Sequence, residues 1–317
     1  MRDILTVTLN PALDLATSVN EVIPGVKLRC SHPDIDPGGG GINVARAVTQ
    51  LGGKARAFVA LGGDTGQALL HLLEKRGLTP VVYEAPGETR QSLAVTDISQ
   101  SEQLRFMLPG PEWGTEDILL VRKAIHDAAP DDGFLVLSGS GPTGAAPDLY
   151  ARICEDFAGS SVKVILDTSG PSLFHLAAGQ KMPPMVLRMD QHEAEELAHR
   201  PLPSRRDSAR FAASLVDRGA AQLVIVARGP DGSVMADGNR HLHVAAAKVE
   251  VRSRVGAGDS FVGGFVKALA EEKPVELALQ HGSAAASAAV MTEGTQLCHS
   301  EDAARLFNES PVTEIEL

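Results

Sequence analysis

Cysteine is scarce in this sequence, which contains 3 cysteines among 317 residues. Cys30, Cys154 and Cys298 lie far apart and form no CxxC pair, so we expect neither a disulfide framework nor a zinc site. Such cysteine usage is typical of a reducing compartment and predicts a cytoplasmic protein. The sequence also lacks an apolar run of the roughly 18 residues that a membrane-spanning helix needs. Its first residues, which include Asp3, do not have the pattern of a secretory signal.

Positive charge is also in short supply. Lysine and arginine number 29 against 40 aspartates and glutamates, which gives a formal net charge of −11. A surface of this sign excludes general binding to nucleic acids or to anionic membranes, because like charges repel. An anionic substrate would therefore need a local cluster of cations. The apolar content of 44% is that of an ordinary soluble globular protein.

Short apolar strands alternate with helical stretches along much of the chain. This alternation predicts an α/β fold whose mostly parallel sheet is covered on both faces. A hairpin is predicted over 232–246 with its turn near Asp237–Gly238, and two long helices are predicted over 257–272 and 275–291. No repeat or linker interrupts the pattern, so we predict one domain over residues 1–317 with a small β excursion.

Polar segments follow several of the predicted strands. In a parallel sheet, ligands bind beyond the carboxyl ends of the strands. Any one such segment is explained by turn chemistry, but five on one predicted edge indicate a binding site. The segments are LNPALD (9–14), SGSGPTG (138–144), DTSG (167–170), RMDQHE (188–193) and ARGPDG (227–232).

Four consecutive glycines precede a predicted helix in PGGGGINVARA (37–47). A turn with a helix cap needs only one glycine, so four suggest that the hydroxyls or phosphate of a ligand lie against bare backbone. Asn43, in the first turn of the helix, could reach such a ligand. The spacing fits neither a Walker A loop nor the GxGxxG fingerprint of dinucleotide-binding proteins.

A second glycine motif, VGAGDSF (255–261), places an aspartate at the start of another helix. Free backbone N–H groups and the positive end of the helix dipole suit a phosphate. A carboxylate there would repel a bound phosphate, so Asp259 is better explained as a base that faces an attacking hydroxyl. The alternative is that Asp259 and its glycines only cap the helix.

Cations are concentrated in the β excursion, where Lys27 and Arg29 alternate on a predicted strand and Arg90 and Arg105 lie on others. Residues two apart on a strand share a face. They indicate a phosphate-bearing ligand, although a solvated strand face would give the same pattern.

Two acids, Asp190 and Glu193, lie three residues apart where a predicted strand enters a helix, so they share one side of that helix. They could hold Mg²⁺ through water. The alternative is that they only complement the helix dipole.

With these motifs in view, the chain resembles the ribokinase family of sugar kinases, also called the phosphofructokinase B family. The resemblance runs essentially end to end, with GGGGINVARAVTQLGG and VGAGDSFVGGFV as signatures. Other segments are most similar to the branch that contains 6-phosphofructokinase, 1-phosphofructokinase and tagatose-6-phosphate kinase. These segments are TLNPALD, GVKLRC, TRQSL, LRFMLPGP, LSGSGPTG and GTQLC.

The resemblance implies a ribokinase-like three-layer sandwich with a mostly parallel central sheet. It also implies a small β-sheet lid formed by approximately residues 12–37 and 88–108. The implied activity is the phosphorylation of a ketohexose phosphate by ATP and Mg²⁺, with fructose 6-phosphate as the expected acceptor. The implied assembly is a homodimer joined through the lid.

The resemblance also implies residue roles. Asp259 matches the catalytic base, and the amides of Gly256, Ala257 and Gly258 match the anion hole for the transferring phosphoryl group. It implies contacts with the sugar or its phosphate for Asp14, Gly39, Gly40, Asn43, Arg90, Arg105 and Ser140. Lys27 and Arg29 match a lid region that reaches the substrate site of the neighbouring subunit. Nucleotide contacts are implied for Arg188, Asp190, Ala227, Gly229 and Thr292, and magnesium contacts for Asp167 and Glu193.

Four of these positions depart from the residue usual in the family. Asp190 replaces an asparagine, Ala227 a serine and Thr292 an asparagine, and Arg188 replaces the lysine of the minor phosphofructokinase type. These changes concern the nucleotide side and leave the acceptor side intact.

Alternatives therefore remain open. The acceptor could be tagatose 6-phosphate or fructose 1-phosphate, or the protein could be a weakly catalytic sugar-phosphate sensor. An NAD-dependent dehydrogenase is disfavoured because its fingerprint is absent.

Overall fold

A ten-stranded sheet forms the centre of the molecule in the computed structural model, which describes residues 1–317. Seven neighbouring strands pair in parallel, and three antiparallel strands extend one edge of the sheet. In spatial order the strands are β14 (Val312–Glu314), β13 (His241–Val244), β12 (Ser233–Asp237), β11 (Leu223–Ala227), β10 (Val186–Asp190), β9 (Ser161–Asp167), β8 (Asp132–Ser138), β1 (Asp3–Thr8), β4 (Arg56–Leu61) and β5 (Val81–Glu84). The prediction of a mostly parallel central sheet is confirmed.

Helices cover both faces of this sheet. They are α1 (Gly40–Gln50), α2 (Gly63–Lys75), α3 (Thr115–Ala128), α4 (Leu149–Asp156), α5 (Gly170–Ala177), α6 (Gln191–Ala198), α7 (Arg205–Asp217), α8 (Ala257–Ala270), α9 (Val275–Ala289) and α10 (Ser300–Leu306). None of them is long and apolar enough to cross a membrane.

Alternation along the strands explains the two helix layers. Successive side chains of a strand point to opposite faces of the sheet. In β11, Val224 and Val226 pack in a core with helices α3 to α7, whereas Leu223 and Ile225 pack in a second core with α1, α8 and α9. The sheet between two helix layers is the expected three-layer sandwich.

A second, four-stranded sheet is the lid. Its order is β3 (Asp34–Gly38), β2 (Ala12–Val19), β6 (Arg90–Asp97) and β7 (Glu102–Met107), with β2 and β6 parallel and the other pairs antiparallel. The segments predicted for a separate β excursion therefore do form a sheet of their own.

One part of the lid prediction is wrong. Lys27 and Arg29 do not lie on a strand but in the irregular segment 20–33 between β2 and β3, where both are exposed. Pro24 and Gly25, whose φ is +85°, form a turn that interrupts the alternating pattern. The shared strand face inferred for these two cations is therefore absent.

Candidate active site

Five neighbouring strands end at one edge of the central sheet. Strands β1, β8, β9, β10 and β11 lie side by side and run parallel, so the polar segments that follow them meet there, as predicted. The first turns of α1 and α8 approach the same edge, because Gly40 packs against Ser138 at the end of β8 and Gly258 packs against Arg188 of β10. The two glycine motifs and the strand ends therefore form a single cleft.

Asp259 lies in the first turn of α8, at the floor of this cleft. Gly256 is the N-cap of the helix and has a left-handed φ of +75°, which glycine adopts without strain. The backbone amides of Ala257, Gly258 and Asp259 have no acceptor within the helix and face its open end. Burial, together with the charge of Asp167, raises the pKa of Asp259 to about 7. A carboxyl group with this pKa can take up a proton near neutral pH.

A short chain of hydrogen bonds holds the Asp259 carboxylate. Asn43 Nδ2 donates to Asp259 Oδ2 at 3.0 Å, and Arg46 Nη1 donates to Asn43 Oδ1 at 3.1 Å. Arg46 is only 6% exposed. Because Arg46 can only donate, it fixes the Asn43 amide with its NH₂ group toward Asp259.

Arg188 bridges the strand ends and the start of α8. Its Nη1 donates to Asp167 Oδ1 at 2.9 Å across the β9–β10 pair, and its guanidinium lies over the Phe261 ring at 5.6 Å from the centroid. Burial would lower the pKa of Arg188, but Asp167 beside it raises the pKa above its ordinary value. A side chain at Gly258 would lie 3.1 Å from Arg188 Nη2. The cation is therefore held directly beside the amides of the second glycine motif.

The glycine run at 38–41 packs against the protein itself. A Cβ atom would lie 2.0 Å from Asp14 Oδ2 at Gly38, 2.6 Å from Thr8 Cγ2 at Gly39, 2.3 Å from Ser138 Oγ at Gly40 and 2.4 Å from the Val7 carbonyl at Gly41. These internal contacts account for the four glycines without a ligand, and the ligand contacts of Gly39 and Gly40 stay a prediction. Gly39, Gly40 and Gly41 pack on the ends of β1 and β8, and Gly38 packs on Asp14 of the lid, so side chains are excluded there.

One face of the lid carries the predicted acceptor contacts. Asp14 of β2 pairs in register with Ser92 of β6, whose hydroxyl donates to Asp14 Oδ1 at 2.6 Å. Burial raises the pKa of Asp14, while Ser92 and the charges of Arg90 and Arg105 act in the opposite direction. Arg105 is paired with Ala94, two residues after Ser92, so it shares this face. Carboxylate, hydroxyl and guanidinium groups are thus brought together.

A second contact joins Arg90 to the end of the central sheet. Arg90 Nε donates to the Asn10 carbonyl at 3.3 Å, and Asn10 Nδ2 donates to Ser140 Oγ at 3.2 Å. Ser140 is exposed in the loop after β8. Arg90 and Ser140 are therefore linked through Asn10, at the place where the lid meets the strand ends.

The Asp190–Glu193 pair forms a capping box at the start of α6. Asp190 Oδ1 accepts from the Glu193 amide at 2.9 Å, and Glu193 Oε2 accepts from the Asp190 amide at 2.8 Å. Burial raises the pKa of Glu193, and the nearby charges of Asp190 and Asp167 add to that effect. The two acids therefore form the N-terminal cap of α6, and no group of three or more acidic, histidine or cysteine ligands is assembled beside them. Their role toward Mg²⁺ stays a prediction.

The remaining nucleotide candidates follow strand β11 and helix α9. Ala227 ends β11, and Gly229 opens a single exposed 3₁₀ turn directly after it. Thr292 is buried, and its hydroxyl lies 2.8 Å from the carbonyls of both Ala289 and Gln296. Its hydroxyl is therefore already engaged within the protein.

With this geometry in place, comparison with known proteins gives a consistent result. Residues 7–303 match the pfkB family of carbohydrate kinases. The chain belongs to this family. It is 36% identical to an ATP-dependent 6-phosphofructokinase isozyme 2 of Mycobacterium tuberculosis, over 96% of this chain and 88% of that protein. It is 31% identical to a 1-phosphofructokinase of Xanthomonas campestris, over 84% of each.

A solved structure of phosphofructokinase-2 from Escherichia coli in complex with fructose-6-phosphate has the same fold. It superimposes with a TM-score of 0.87 and 34% identity, over 97% of this chain and 99% of that chain. The present protein is thus a PfkB sugar kinase, that is, a phosphotransferase with the ribokinase-like fold.

Three side chains of this PfkB kinase lie in the site although the sequence motifs did not single them out. Arg46 follows Asn43 by one helical turn, a spacing that could have indicated their contact. Ser92 and Asn10 lie within motifs that the sequence did highlight. Their hydrogen bonds to Asp14 and to Ser140 connect segments 78 and 130 residues apart, which no local pattern reveals.

Proposed function

We propose that this kinase transfers the γ-phosphoryl group of ATP to the 1-hydroxyl of fructose 6-phosphate. The observation that carries the proposal is the position of Asp259. Its carboxylate is held by Asn43 beside the free amides of α8, while the lid face presents Asp14, Ser92 and Arg105. A base next to an anion site, facing a lid with hydroxyl-binding and phosphate-binding groups, suits a phosphorylated sugar acceptor.

The roles of the residues follow from this arrangement. Asp259 accepts the proton of the sugar hydroxyl, and the hydroxyl oxygen bonds to the γ-phosphorus of ATP. The bond from that phosphorus to the oxygen bridging the β- and γ-phosphates breaks, and ADP leaves. The amides of Gly256, Ala257 and Gly258 stabilise the charge on the transferring group. Asp14 binds sugar hydroxyls, and Arg90, Arg105 and Ser140 bind the 6-phosphate.

Magnesium ion fits the carboxylates of Asp167 and Glu193. This ion keeps most of its water shell and is usually held by one or two carboxylates together with substrate phosphates, so a larger ligand cluster is not required. The charge of Asp167 contributes to the raised pKa of Glu193, so the two carboxylates act on each other electrostatically. When bound, the ion would neutralise charge on the phosphates of the nucleotide.

We further propose a cytoplasmic homodimer joined through the lids. The second lid face, opposite Asp14, is apolar and exposed: Ile35, Leu93, Leu104 and Phe106 are 41%, 37%, 37% and 48% exposed. Leu93 and Phe106 are register partners, so these side chains form a continuous patch. A second lid would cover this patch. The unpaired state of all three cysteines agrees with a reducing compartment.

The proposed activity is tested by ADP release from Mg-ATP with three acceptors in parallel: fructose 6-phosphate, fructose 1-phosphate and tagatose 6-phosphate. Asp259→Asn protein serves as the blank. We expect the fastest turnover with fructose 6-phosphate and its loss in the blank. Faster turnover with another acceptor would overturn the proposed substrate. Sugar-phosphate binding without turnover on any acceptor would instead support the sensor hypothesis.

A further inference from the structure

One carboxylate of the lid bonds to two segments outside the lid. Asp36, on lid strand β3, accepts hydrogen bonds from the Thr295 hydroxyl and from the guanidinium of Arg76, which ends helix α2. The Asp36 side chain is 16% exposed. Asp36 is the register partner of Asp14, so it lies on the same lid face as the proposed sugar contact. The contact therefore lies on the inner side of the lid.

Thr295 belongs to a short loop, 292–297, that also touches the transfer site. Leu297 is buried and packs against Gly256, where a Cβ atom would lie 2.5 Å from Leu297 Cδ2. The Gly294 carbonyl accepts from Ser253 Oγ at 3.0 Å, which ties the loop to the segment leading into α8. Thr292 closes the loop on itself through the Gln296 carbonyl.

The 292–297 loop thus contacts the lid at one residue and the N-cap of α8 two residues later. A displacement of β3 would move the loop through Thr295, and a displacement of the loop would change the packing of Leu297 against Gly256. The proposed anion hole begins at Gly256. The loop therefore physically connects acceptor binding at the lid with nucleotide binding at α8.

We propose that Asp36 and Thr295 are positioning residues that couple the binding of the sugar phosphate to the binding of the nucleotide. Their hydrogen bond holds the 292–297 loop against Gly256 when the lid covers the acceptor, so that each substrate strengthens the binding of the other. Such coupling is reciprocal by thermodynamic necessity. This proposal rests on the proposed function, since it takes fructose 6-phosphate and ATP as the two ligands.

The test measures binding without turnover. The dissociation constant of fructose 6-phosphate is determined by calorimetry with and without Mg²⁺ and the non-hydrolysable analogue AMP-PNP, and the ratio is the coupling factor. Thr295→Val removes only the hydroxyl and should lower the coupling factor about fivefold or more. Each ligand alone should bind the variant within about twofold of the wild type, because Thr295 belongs to neither proposed binding set.

Two further variants separate coupling from folding. Thr295→Ser keeps the hydroxyl and should restore the wild-type coupling factor. Thr49→Val removes a hydroxyl that bonds within α1, to the Ala45 carbonyl, and should leave the coupling unchanged. Steady-state kinetics should rank the variants in the same order, according to how strongly fructose 6-phosphate lowers the KM for ATP.

The outcomes distinguish the two proposals. A wild-type coupling factor of one, or a Thr295→Val protein that retains the wild-type factor, would overturn the coupling role. So would a variant that loses affinity for each ligand alone while the factor is preserved. Failure of the wild-type protein to phosphorylate fructose 6-phosphate would overturn the proposed function instead, and the coupling factor would then be measured with the acceptor that is turned over.

Discussion

The start of α8 and the lid sheet contribute to the same site in opposite ways. At α8, Asp259 is held by Asn43 and Arg46, and Arg188 is held by Asp167, so the polar groups are already bonded to one another. On the lid, the guanidinium of Arg105 contacts only its strand neighbour Gln103 and is exposed. The groups proposed to perform the chemistry are thus pre-organised, whereas Arg105, which is proposed to bind the phosphate of the acceptor, is left available for it.

The largest expected effect breaks the pre-organised side. Asp259→Asn removes the proposed base, so turnover with Mg-ATP and fructose 6-phosphate should fall by about 10²- to 10⁴-fold. Fructose 6-phosphate binding, measured by calorimetry, should persist because the lid contacts are intact. A turnover number near that of the wild type would show that Asp259 is not the base.

The same variant should be more stable than the wild type, and only at higher pH. The carboxyl has its ordinary pKa in the unfolded chain and a pKa of about 7 in the folded one. Wild-type stability is therefore lost as the pH rises from about 4 through 7, and Asp259→Asn should not show this loss.

The expected gain in the free energy of unfolding is near zero at about pH 4 and on the order of 4 kcal/mol at about pH 8. It is measured by urea denaturation without magnesium or nucleotide. Asp131→Asn, which changes an exposed aspartate, is the matched control. A gain that does not vary with pH would contradict the explanation by burial of the charge.

Arg90→Ala tests the lid side of the site. Loss of a charge-assisted contact with the 6-phosphate should raise the KM for fructose 6-phosphate roughly ten- to hundredfold with a smaller change in kcat. Weak binding of unphosphorylated fructose, measured by calorimetry, should be unaffected. An equal loss of affinity for both sugars would argue against phosphate binding by Arg90.

Phe106→Lys tests the second lid face, the apolar face opposite Asp14. Loss of one large apolar contact should weaken dimerisation about tenfold or more, as measured by sedimentation velocity over a range of protein concentrations. Leu119→Lys, at an exposed position on α3 outside the lid, controls for the added charge. Dimerisation that is equally strong in both variants would place the interface elsewhere.

Sequence patterns were sufficient where function depends on local geometry. The alternation of strands and helices predicted the central sheet, and the motif around Asp259 predicted a helix that begins with an acid next to free amides. The Asp190–Glu193 spacing predicted either a metal contact or an interaction with the helix dipole, and the structure shows the two acids in a capping box at the helix start.

Patterns failed where distant segments determine the outcome. The glycines at 38–41 are required by Asp14, Thr8 and Ser138, none of which a helix-cap argument takes into account. The strand predicted around Lys27 is interrupted by a turn at Pro24–Gly25. The bond between Asp36 and Thr295 spans 259 residues of sequence, so only the folded chain brings the two together.

The proposed base and the proposed anion hole occupy consecutive residues of one helical turn, from Gly256 to Asp259. Bond lengths and the first-turn geometry of α8, rather than the packing of separate elements, therefore fix the spacing between them. Thermal motion of the lid, or drift of the surrounding sequence over evolution, can misplace the sugar but cannot easily change this spacing. The rest of the enzyme must therefore align both substrates with the start of α8, because the base and the anion hole cannot adjust relative to each other.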